Sequence, residues 1–436
     1  MPSKCGQQIH TAHMNEVNTA SSKLVPAPLT RTDAVAAWGS FLPRVKEYAK
    51  RRNHLEYGHS NVSRLSAALR HRLLTEDEVT RDTLAHSSFA AAEKWLQEVC
   101  WRRYWKGWLE MRPQVWTSWR QRVRDQRDTL PQEVLKKADA VAAGESGVAC
   151  MDVLARELIE TGYLHNHARM WWASFWIHAE GLPWELGADF FFRHLLDADP
   201  ASNTLSWRWV AGLQTPGKTY LVRLSNLEKY APADLLRDLR GSHRIADGTV
   251  TSSLQKDYAD TSRHPLPAYP TSLPAHSGRA GLWLHADDLA PEVGPLAEFA
   301  PETVAAFTSE RTYREHYRLS ENRITALRTV LSDGIARAAA HYRCPATLSD
   351  VDDTAASISA WARSHQFAEV VAFAPTVGPV GDLVPRLAKQ LTDLRIRLTL
   401  IQRASDAHAF SLANAGFFPF WEKMSRHLRS ADSAAP

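Results

Sequence analysis

The hydrophobic positions follow two different patterns along the chain, and the pattern changes after about residue 240. In the first half, apolar residues recur at three- and four-residue spacings, as in SSFAAAEKWLQEVCWRRYWKGWLE at residues 87–110. This spacing places apolar side chains on one face and predicts a long helix. Gly162 and Gly181 are predicted to end two later helices. No alternating strand pattern occurs here, so residues 31–240 are predicted to form an all-helical domain.

The second half alternates short apolar runs with helical stretches. The runs GLWLH, EVVAFAP and IRLTLI predict buried strands, whereas RITALRTVLSDGIARAAA, SISAWARSHQ and LVPRLAKQLTDL predict helices. This alternation is typical of a parallel sheet covered by helices. Residues 280–430 are therefore predicted to form a Rossmann-like parallel α/β domain, so that the chain combines an all-α and an α/β domain.

Two segments follow neither pattern. Residues 1–30 are polar and are predicted to form a flexible arm. Residues 241–279 are rich in Ser, Thr, Gly and Pro, which predicts a linker or a long wrapped loop between the two domains.

Composition narrows the class of protein. The four cysteines of the 436 residues include no CxxC pair, which predicts no metal site and is typical of a reducing compartment. No run of 18 apolar residues occurs and no signal sequence begins the chain, so we expect a cytoplasmic monomer without a membrane span. The formal net charge of +4 permits an anionic partner without requiring one. Tryptophan is unusually frequent, with 16 residues, most of them before residue 210.

The segment DADPASNTLSWRW at residues 197–209 combines two acids with two tryptophans and has two interpretations. In the first, Asp197 and Asp199 cap a helix, and Trp207 and Trp209 fill the core. In the second, Arg169 pairs with Asp197, because a buried charge without a partner is costly. An arginine–carboxylate pair beside indoles suits a planar, polar, redox-active ring such as a flavin. The residues alone leave both interpretations open.

Five segments resemble, in the same order, the motifs of the DNA photolyases and cryptochromes. The family patterns are TSxLSPYL, WxxELxWREFY, TGxMHNRxRMxxASF, a D-W-x-x-G stretch and DGDxAxNxGxWQW. The matching segments are VSRLSAAL (Val62–Leu69), WLQEVCWRRYW (Trp95–Trp105), TGYLHNHARMWWASF (Thr161–Phe175), LPWEL (Leu182–Leu186) and DADPASNTLSWRW (Asp197–Trp209). The resemblance implies that the helical domain is a photolyase-like FAD-binding domain.

The order of the domains differs from that of the family, whose α/β domain precedes its helical domain. Here GLWLHADDLAPE at residues 281–292 resembles the family's opening strand, and FFPFWEKMSRHL at residues 417–428 resembles the segment that closes that domain. The resemblance therefore implies a circular permutation, with residues 241–279 as the new joint. The alternative is an unrelated α/β domain fused to the helical one.

The resemblance also implies roles for particular residues in cofactor binding and electron transfer. Trp207 and Trp184 correspond to the first two members of the family's electron-transfer chain. The third tryptophan is absent near Pro131, and Trp171, Trp172, Trp176 or a tyrosine offers another exit. Asn203 is placed opposite the reactive nitrogen of the flavin. The implied FAD-binding residues are Tyr48, Arg52, Ser63, Leu65, Ser66, Arg169, Asp197, Asp199 and Asn203.

A substrate pocket is implied on the same basis. Its catalytic residues are Glu98 and Asn203 together with the two tryptophans of the electron-transfer chain. Arg223 and Lys218 are expected to meet DNA phosphates, as is Arg102. Two ordinary structural roles remain open, Trp101 as a core residue and Glu98 as part of a surface ion pair. The implied substrate-binding residues are Glu98, Trp101, Arg102, Asn166, Met170, Trp209 and Arg223.

The implied activity is that of a deoxyribodipyrimidine photolyase-like lyase, in which light drives an electron from reduced FAD to a cyclobutane pyrimidine dimer in damaged DNA. The alternative is a cryptochrome-like blue-light sensor or redox flavoprotein without repair activity. Departures from the family pattern include His167 in place of Arg and Leu205–Ser206 in place of Gly-Gly. The α/β domain lacks the family's antenna-binding residues, so a second chromophore is expected to be absent.

Overall fold

The computed structural model describes residues 26–215, 219–245, 248, 256, 257, 259–274 and 278–433. Most of the predicted N-terminal arm and part of the predicted linker lie outside these residues. Within the described part of the chain, no helix is long and apolar enough to span a membrane.

The first half is helical, as predicted, and contains no strand within its described residues. Short 3-10 segments occupy Leu42–Glu47, Tyr57–His59 and Ser242–Ile245, and a π-helical turn occupies Phe175–Ala179. The α-helices are α1 (Arg31–Phe41), α2 (Tyr48–Arg51), α3 (Ser66–Arg70), α4 (Glu76–His86), α5 (Phe89–Glu110), α6 (Gln114–Thr129), α7 (Gln132–Ala143), α8 (Ala149–Thr161), α9 (Asn166–Ser174), α10 (Trp184–His194), α11 (Pro200–Val210) and α12 (Leu224–Tyr230).

Helix α5 is the long helix predicted from residues 87–110, and it lies between the two domains. It begins where the Ser88 side chain accepts a hydrogen bond from the Ala91 amide at 3.4 Å, as a helix-capping serine does. Near its end, Gly107 allows very close packing: a Cβ there would lie 2.7 Å from the Cα of Phe410 in the C-terminal domain. Gly162 takes the left-handed conformation predicted for a helix end, with a φ of 66°.

The second half is an α/β domain, also as predicted. A short 3-10 segment at Gly381–Leu383 precedes one of its helices. Its elements are β1 (Ala280–Leu284), β2 (Thr303–Thr308), α13 (Glu310–Glu315), α14 (Glu321–Tyr342), β3 (Ala346–Asp350), α15 (Thr354–Ser364), β4 (Glu369–Phe373), α16 (Val384–Asp393), β5 (Arg397–Ile401), α17 (Ala404–Leu412) and α18 (Phe417–Ser433).

The five strands form one parallel sheet in the order β3-β2-β1-β4-β5. Both faces of the sheet are covered, as a parallel sheet requires. On one face, Trp283 packs with Ile358 of α15 and Leu387 of α16. On the other face, Leu282 and Val371 belong to the core that continues into the helical domain. The two domains therefore share one hydrophobic core.

Buried ion pairs join the domains beside this core. Arg72, which follows α3, has a φ of 53°, in the left-handed region that favours glycine. Its guanidinium lies 2.8 Å from Asp288, 2.5 Å from Asp406 and 3.3 Å from Glu76. Asp288 is held in addition by Arg403 at 2.7 Å. All five side chains are buried, so charges from both domains neutralise each other at the boundary.

We predict that Arg72→Leu destabilises the folded chain by about 3 kcal/mol, because it removes a cation that three buried carboxylates share. The lower end of the usual range applies, since Asp288 keeps Arg403 and Asp406 keeps Arg103 at 3.5 Å. Urea unfolding followed by circular dichroism measures the effect. Arg81→Leu is the matched control, because Arg81 forms an exposed pair with Asp82. Equal unfolding midpoints for the two variants would contradict the prediction.

Candidate cofactor and substrate site

The segment that joins α10 to α11 carries the two acids singled out in the sequence. Asp199 is the N-cap of α11 and accepts a hydrogen bond from the Ser202 amide at 2.8 Å. Pro200 follows at the first helical position, where its missing amide hydrogen costs nothing. The capping role of Asp199 is therefore real, and it leaves the second carboxylate oxygen of this residue free for other contacts.

Asp197 pairs with Arg169, as the sequence indicated. The Nη2 atom of Arg169 lies 3.0 Å from Oδ2 of Asp197, and Arg169 Nε donates to the Leu164 carbonyl at 2.7 Å. Burial alone would raise the pKa of Asp197, but Arg169 and a hydrogen bond from Ser66 bring it below its ordinary value. Asp197 is therefore ionised at neutral pH and held by an arginine of fixed orientation.

Asp199 lies among three cations at nearly equal distances. Its Oδ2 atom is 3.7 Å from Arg70 Nε, 3.8 Å from Arg102 Nη1 and 3.7 Å from Lys106 Nζ. Burial would raise the pKa of Asp199, and these cations instead hold it below its ordinary value. Sequence reasoning missed Arg70 and Lys106. The four-residue spacing between Arg102 and Lys106, which places both on one face of α5, was the available signal.

The segment Ser63–Ser66 lies directly beside this pair of acids. The Leu65 amide donates to the Ser63 hydroxyl at 3.3 Å, and Arg102 donates to the Ser66 carbonyl at 3.2 Å. Leu65 is fully buried. Arg64 has a φ of 56°, and its guanidinium packs over the Tyr163 ring at 5.0 Å.

Arg52, a predicted FAD-binding residue, and Glu98, a predicted substrate residue, form an ion pair with each other. Arg52 Nη1 lies 2.9 Å from Glu98 Oε1, and Lys94 approaches the same oxygen at 3.4 Å. This is the ion pair that the sequence left open as the ordinary role of Glu98.

Tyr48 packs edge-on against Trp95 at 5.2 Å, and burial raises its pKa above the ordinary value.

Asn203 and Trp207 line the inner side of α11. Asn203 Nδ2 donates to the Ala188 carbonyl at 2.9 Å, which fixes the amide and leaves its other groups available. Trp207 is buried and meets Trp172 edge-on, with ring centroids 6.2 Å apart. Trp172 in turn lies 5.3 Å from Trp176.

Two further tryptophans proposed as electron-transfer residues are Trp184 and Trp171. Trp184, the first residue of α10, is buried, and the Arg208 guanidinium is 6.0 Å from its ring. Trp171 donates to Asn226 at 2.8 Å and belongs to a different aromatic group, with His167. Of the three exits considered, Trp172 and Trp176 are therefore the ones joined to Trp207 by ring contacts.

The predicted substrate residues are arranged around α5 and α9 with one unexpected contact. Trp101 is stacked on Phe417 of α18, with ring centroids 3.6 Å apart and planes 7° apart, so one of its faces is covered. Asn166 is exposed, Met170 is half-buried, and half-buried Trp209 stacks with Tyr220 at 5.9 Å. Sequence reasoning missed Phe417, because the contact joins residues more than 300 positions apart.

The basic residues expected to meet DNA phosphates divide into three cases. Arg223 is exposed at the start of α12, where such a contact is possible. The Arg102 side chain is 13% exposed and faces Asp199, so its contact with a DNA phosphate stays a prediction. Lys218 lies outside the described residues.

Several buried polar atoms around the two acids have no hydrogen-bond partner among the described residues. They include Oδ1 of Asp197, Nε2 of His165 and Nη1 of Arg102. Oδ1 of Asp197 is able to accept a hydrogen bond from a polar ligand, and Nη1 of Arg102 is able to donate one. Nε2 of His165 is a third polar atom without a partner among the described residues. FAD, which combines phosphates with a ring that has donor and acceptor edges, fits this set. No group of three or more His, Cys, Asp or Glu side chains in the described ranges is arranged to hold a metal ion.

Comparison with known proteins gives the helical domain an independent match. A family model described as the FAD binding domain of DNA photolyase matches residues 95–233. That range contains Glu98, Arg169, Asp197 and Asn203, whereas the segment Ser63–Ser66 precedes it.

The similar proteins include two bacterial enzymes. The deoxyribodipyrimidine photo-lyase of Salmonella typhimurium is 31% identical over 189 residues, which is 40% of this chain and 37% of that protein. The deoxyribodipyrimidine photo-lyase of Escherichia coli is 29% identical over 174 residues, or 36% of this chain and 34% of that protein. The chain thus spans little more than a third of the length of these relatives.

Two solved structures are similar over a comparable part of the chain. The class III photolyase of Agrobacterium tumefaciens is 26% identical, covering 46% of this chain and 42% of that one, with a TM-score of 0.39. The cryptochrome of Synechocystis is 23% identical, covering 46% of this chain and 43% of that one, with a TM-score of 0.40.

The family match also identifies the cofactor. The matched model is that of an FAD-binding domain, so FAD is the cofactor of the helical domain. Through residues 95–233, the chain is thus similar to the FAD-binding domain of the DNA photolyases.

Proposed function

We propose that this protein is a light-driven DNA repair enzyme that splits cyclobutane pyrimidine dimers in damaged DNA. The observation that carries the proposal is the position of the candidate substrate residues relative to the cofactor site. Arg102 of α5 faces Asp199, and Trp101 is its immediate neighbour on the same helix. Glu98 lies one turn earlier, paired with Arg52. Because Glu98 and Arg102 are four residues apart, they share one face of α5, and a base placed against that face would lie beside Asp199.

Each group of residues has a separate task in this proposal. Arg169 and Asp197 hold and orient the cofactor, and the backbone of Ser63–Ser66 together with Arg102 binds its phosphates. FAD, when bound and reduced, supplies an electron after absorbing light. Asn203, whose amide is fixed by the Ala188 carbonyl, would offer the cofactor a polar group without a carboxylic proton.

The substrate side of the site must bind a nucleotide that has left the duplex. Such a flipped base is bound by stacking and by hydrogen bonds to its edges. Trp101 offers an indole face, Glu98 offers an acceptor, and Trp209 closes the far side. Exposed Arg223 contacts the nearby DNA backbone in this proposal.

A second function remains a candidate because of one contact. Phe417 covers a face of Trp101 with nearly parallel rings 3.6 Å apart, which reduces the aromatic surface left for a flipped dimer. A cryptochrome-like sensor or redox flavoprotein needs no such surface, because light-driven reduction of its cofactor is the whole output.

Several features read from the sequence remain predictions. They are the domain boundaries, the circular permutation, the absence of an antenna chromophore, the monomeric state and the cytoplasmic location. For the permutation, the support is that the segment resembling the family's opening strand forms β1, the central strand of the sheet.

We predict that Trp207→Phe strongly slows reduction of the bound FAD by blue light in the presence of a thiol. Phenylalanine keeps most of the volume but is much harder to oxidise than tryptophan. The indole nitrogen of Trp207 has no hydrogen-bond partner among the described residues, so no such bond is lost. The absorbance of oxidised flavin under illumination measures the rate.

Trp283→Phe is the matched control for this measurement. Trp283 of β1 is also buried, and its indole nitrogen likewise has no hydrogen-bond partner in the described part of the chain. It packs with residues of α15 and α16. Its substitution is expected to leave the rate unchanged. A wild-type rate in Trp207→Phe would show that electrons do not pass through Trp207.

We predict that the fully reduced protein restores thymines in a dimer-containing single-stranded oligonucleotide under light and not in the dark. Trp101→Ala is expected to weaken lesion binding by roughly 5- to 150-fold, the scale of one lost base–aromatic stack of about 1–3 kcal/mol. Full reduction before illumination makes the test independent of any tryptophan chain. Chromatography of the oligonucleotide measures repair, and fluorescence anisotropy measures binding.

Trp361→Ala, which removes a half-buried indole of α15 from the other domain, is the control for that variant. It should bind the lesion as the wild type does. If the reduced wild type neither binds the dimer nor restores thymine, the sensor or redox function replaces the repair function.

A further inference from the structure

The C-terminal α/β domain reaches into the segment that carries Asp197 and Asp199. Arg323 of α14 donates from Nη2 to the carbonyl of Ala198, which lies between the two acids, at 3.1 Å. Its guanidinium also packs over the ring of Phe192 in α10 at 4.3 Å. A side chain of the second domain therefore holds the backbone between two residues of the cofactor site.

Two further contacts reach the same segment from the α/β domain. Asp287, just after β1, binds Arg70 at 2.8 Å, and Arg70 is one of the three cations facing Asp199. Gly378, in the loop after β4, lies directly against Pro200, so that a Cβ there would be 2.5 Å from the Pro200 ring. Contacts from α14, from the segment after β1 by way of Arg70, and from the loop after β4 thus converge on residues 197–200.

Arg323 is a buried arginine, and its surroundings compensate its charge only in part. The side chain is 6% exposed, and its Nη1 atom has no hydrogen-bond partner among the described residues. Burial, together with the neighbouring charge of Arg70, lowers the pKa of Arg323 to about 9. A buried guanidinium is costly unless it is paired. The attraction of Asp197, which opposes this lowering, and the bond to Ala198 compensate part of that cost.

We propose that Arg323 is a positioning residue of the FAD site: the α/β domain, through Arg323, holds the segment Asp197–Ala198–Asp199 in the conformation that binds the cofactor. The proposal deepens the assignment of FAD to these residues and rests on it. Docking of the α/β domain and binding of FAD are then coupled, and the coupling is reciprocal.

The test compares FAD affinity among full-length variants from which the flavin has been stripped. Arg323→Met removes both the donor and the charge, and Arg323→Lys keeps the charge and one donor. Arg328→Met is the matched control, because Arg328 lies on the same helix, 54% exposed, and pairs with Glu310. FAD is titrated into each protein, its fluorescence gives the Kd, and the unfolding temperature of each flavin-free protein is measured in parallel.

We expect Arg323→Met to raise the Kd for FAD by roughly tenfold or more, on the scale of one charge-assisted hydrogen bond. Arg323→Lys should recover part of the affinity, and Arg328→Met should match the wild type. If Arg323→Met does not fold, Arg323→Gln, which is polar and uncharged, takes its place with the same expectation.

A wild-type Kd for Arg323→Met together with a lower unfolding temperature would overturn the proposal, because Arg323 would then act only in packing. A wild type that binds no FAD would instead overturn the cofactor site itself, and the proposal with it. The two failures are distinguishable, because only the second affects the wild-type titration.

Discussion

Buried charge at the boundary of the two domains is the constraint on which the rest of this structure depends. Carboxylates such as Asp288 and Asp406 are too deeply buried to remain ionised without partners, and the partner they share is Arg72 of the other domain. The pairing fixes how the domains dock, and α5 lies along the boundary that results. Arg72 forms these pairs with its backbone in the left-handed region, which is unfavourable for a residue other than glycine.

The same set of charges extends to the candidate cofactor site. Arg70 contacts Asp287 of the α/β domain and faces Asp199 of the helical domain, so it belongs to both the interface and the site. Lys106 faces the same carboxylate from α5. The cations balance the charge of the acids, and in the proposed function the acids orient polar edges of FAD.

Much of the fold could be predicted from the sequence, because helices and strands are indicated by the spacing of apolar residues and the composition within short segments. The long helix α5 and the strands β1, β4 and β5 were predicted from their apolar patterns. Strands β2 and β3 were not, since TVAAFT is short and ATLSD is partly exposed and ends in an acid. The pair Arg169–Asp197 was predicted because a buried acid requires a partner. By contrast, the approach of Arg102 to Asp199 was not predicted, because the sequence does not show which neighbours a helix residue faces.

Long-range contacts are the part that no local pattern reveals. Phe417 on Trp101, Arg323 on Ala198 and Arg72 with Asp406 all join residues more than 100 positions apart. Such contacts bear on the role of residues identified from the sequence, as Phe417 does for Trp101. Phe417 covers one face of Trp101. The choice between DNA repair and light sensing therefore depends on how much aromatic surface of Trp101 a flipped base is able to reach.

The most direct test of the account is the amount of FAD bound per chain in the purified protein and in its Arg169→Ala variant. Absorbance of the flavin released by heating, divided by the protein concentration, gives this ratio. We expect about one FAD per chain in the wild type. The variant should retain far less, because breaking a buried pair costs about 3–5 kcal/mol. A colourless wild type that takes up no added FAD, or a variant with full occupancy, would contradict the assignment of the Arg169–Asp197 site to FAD.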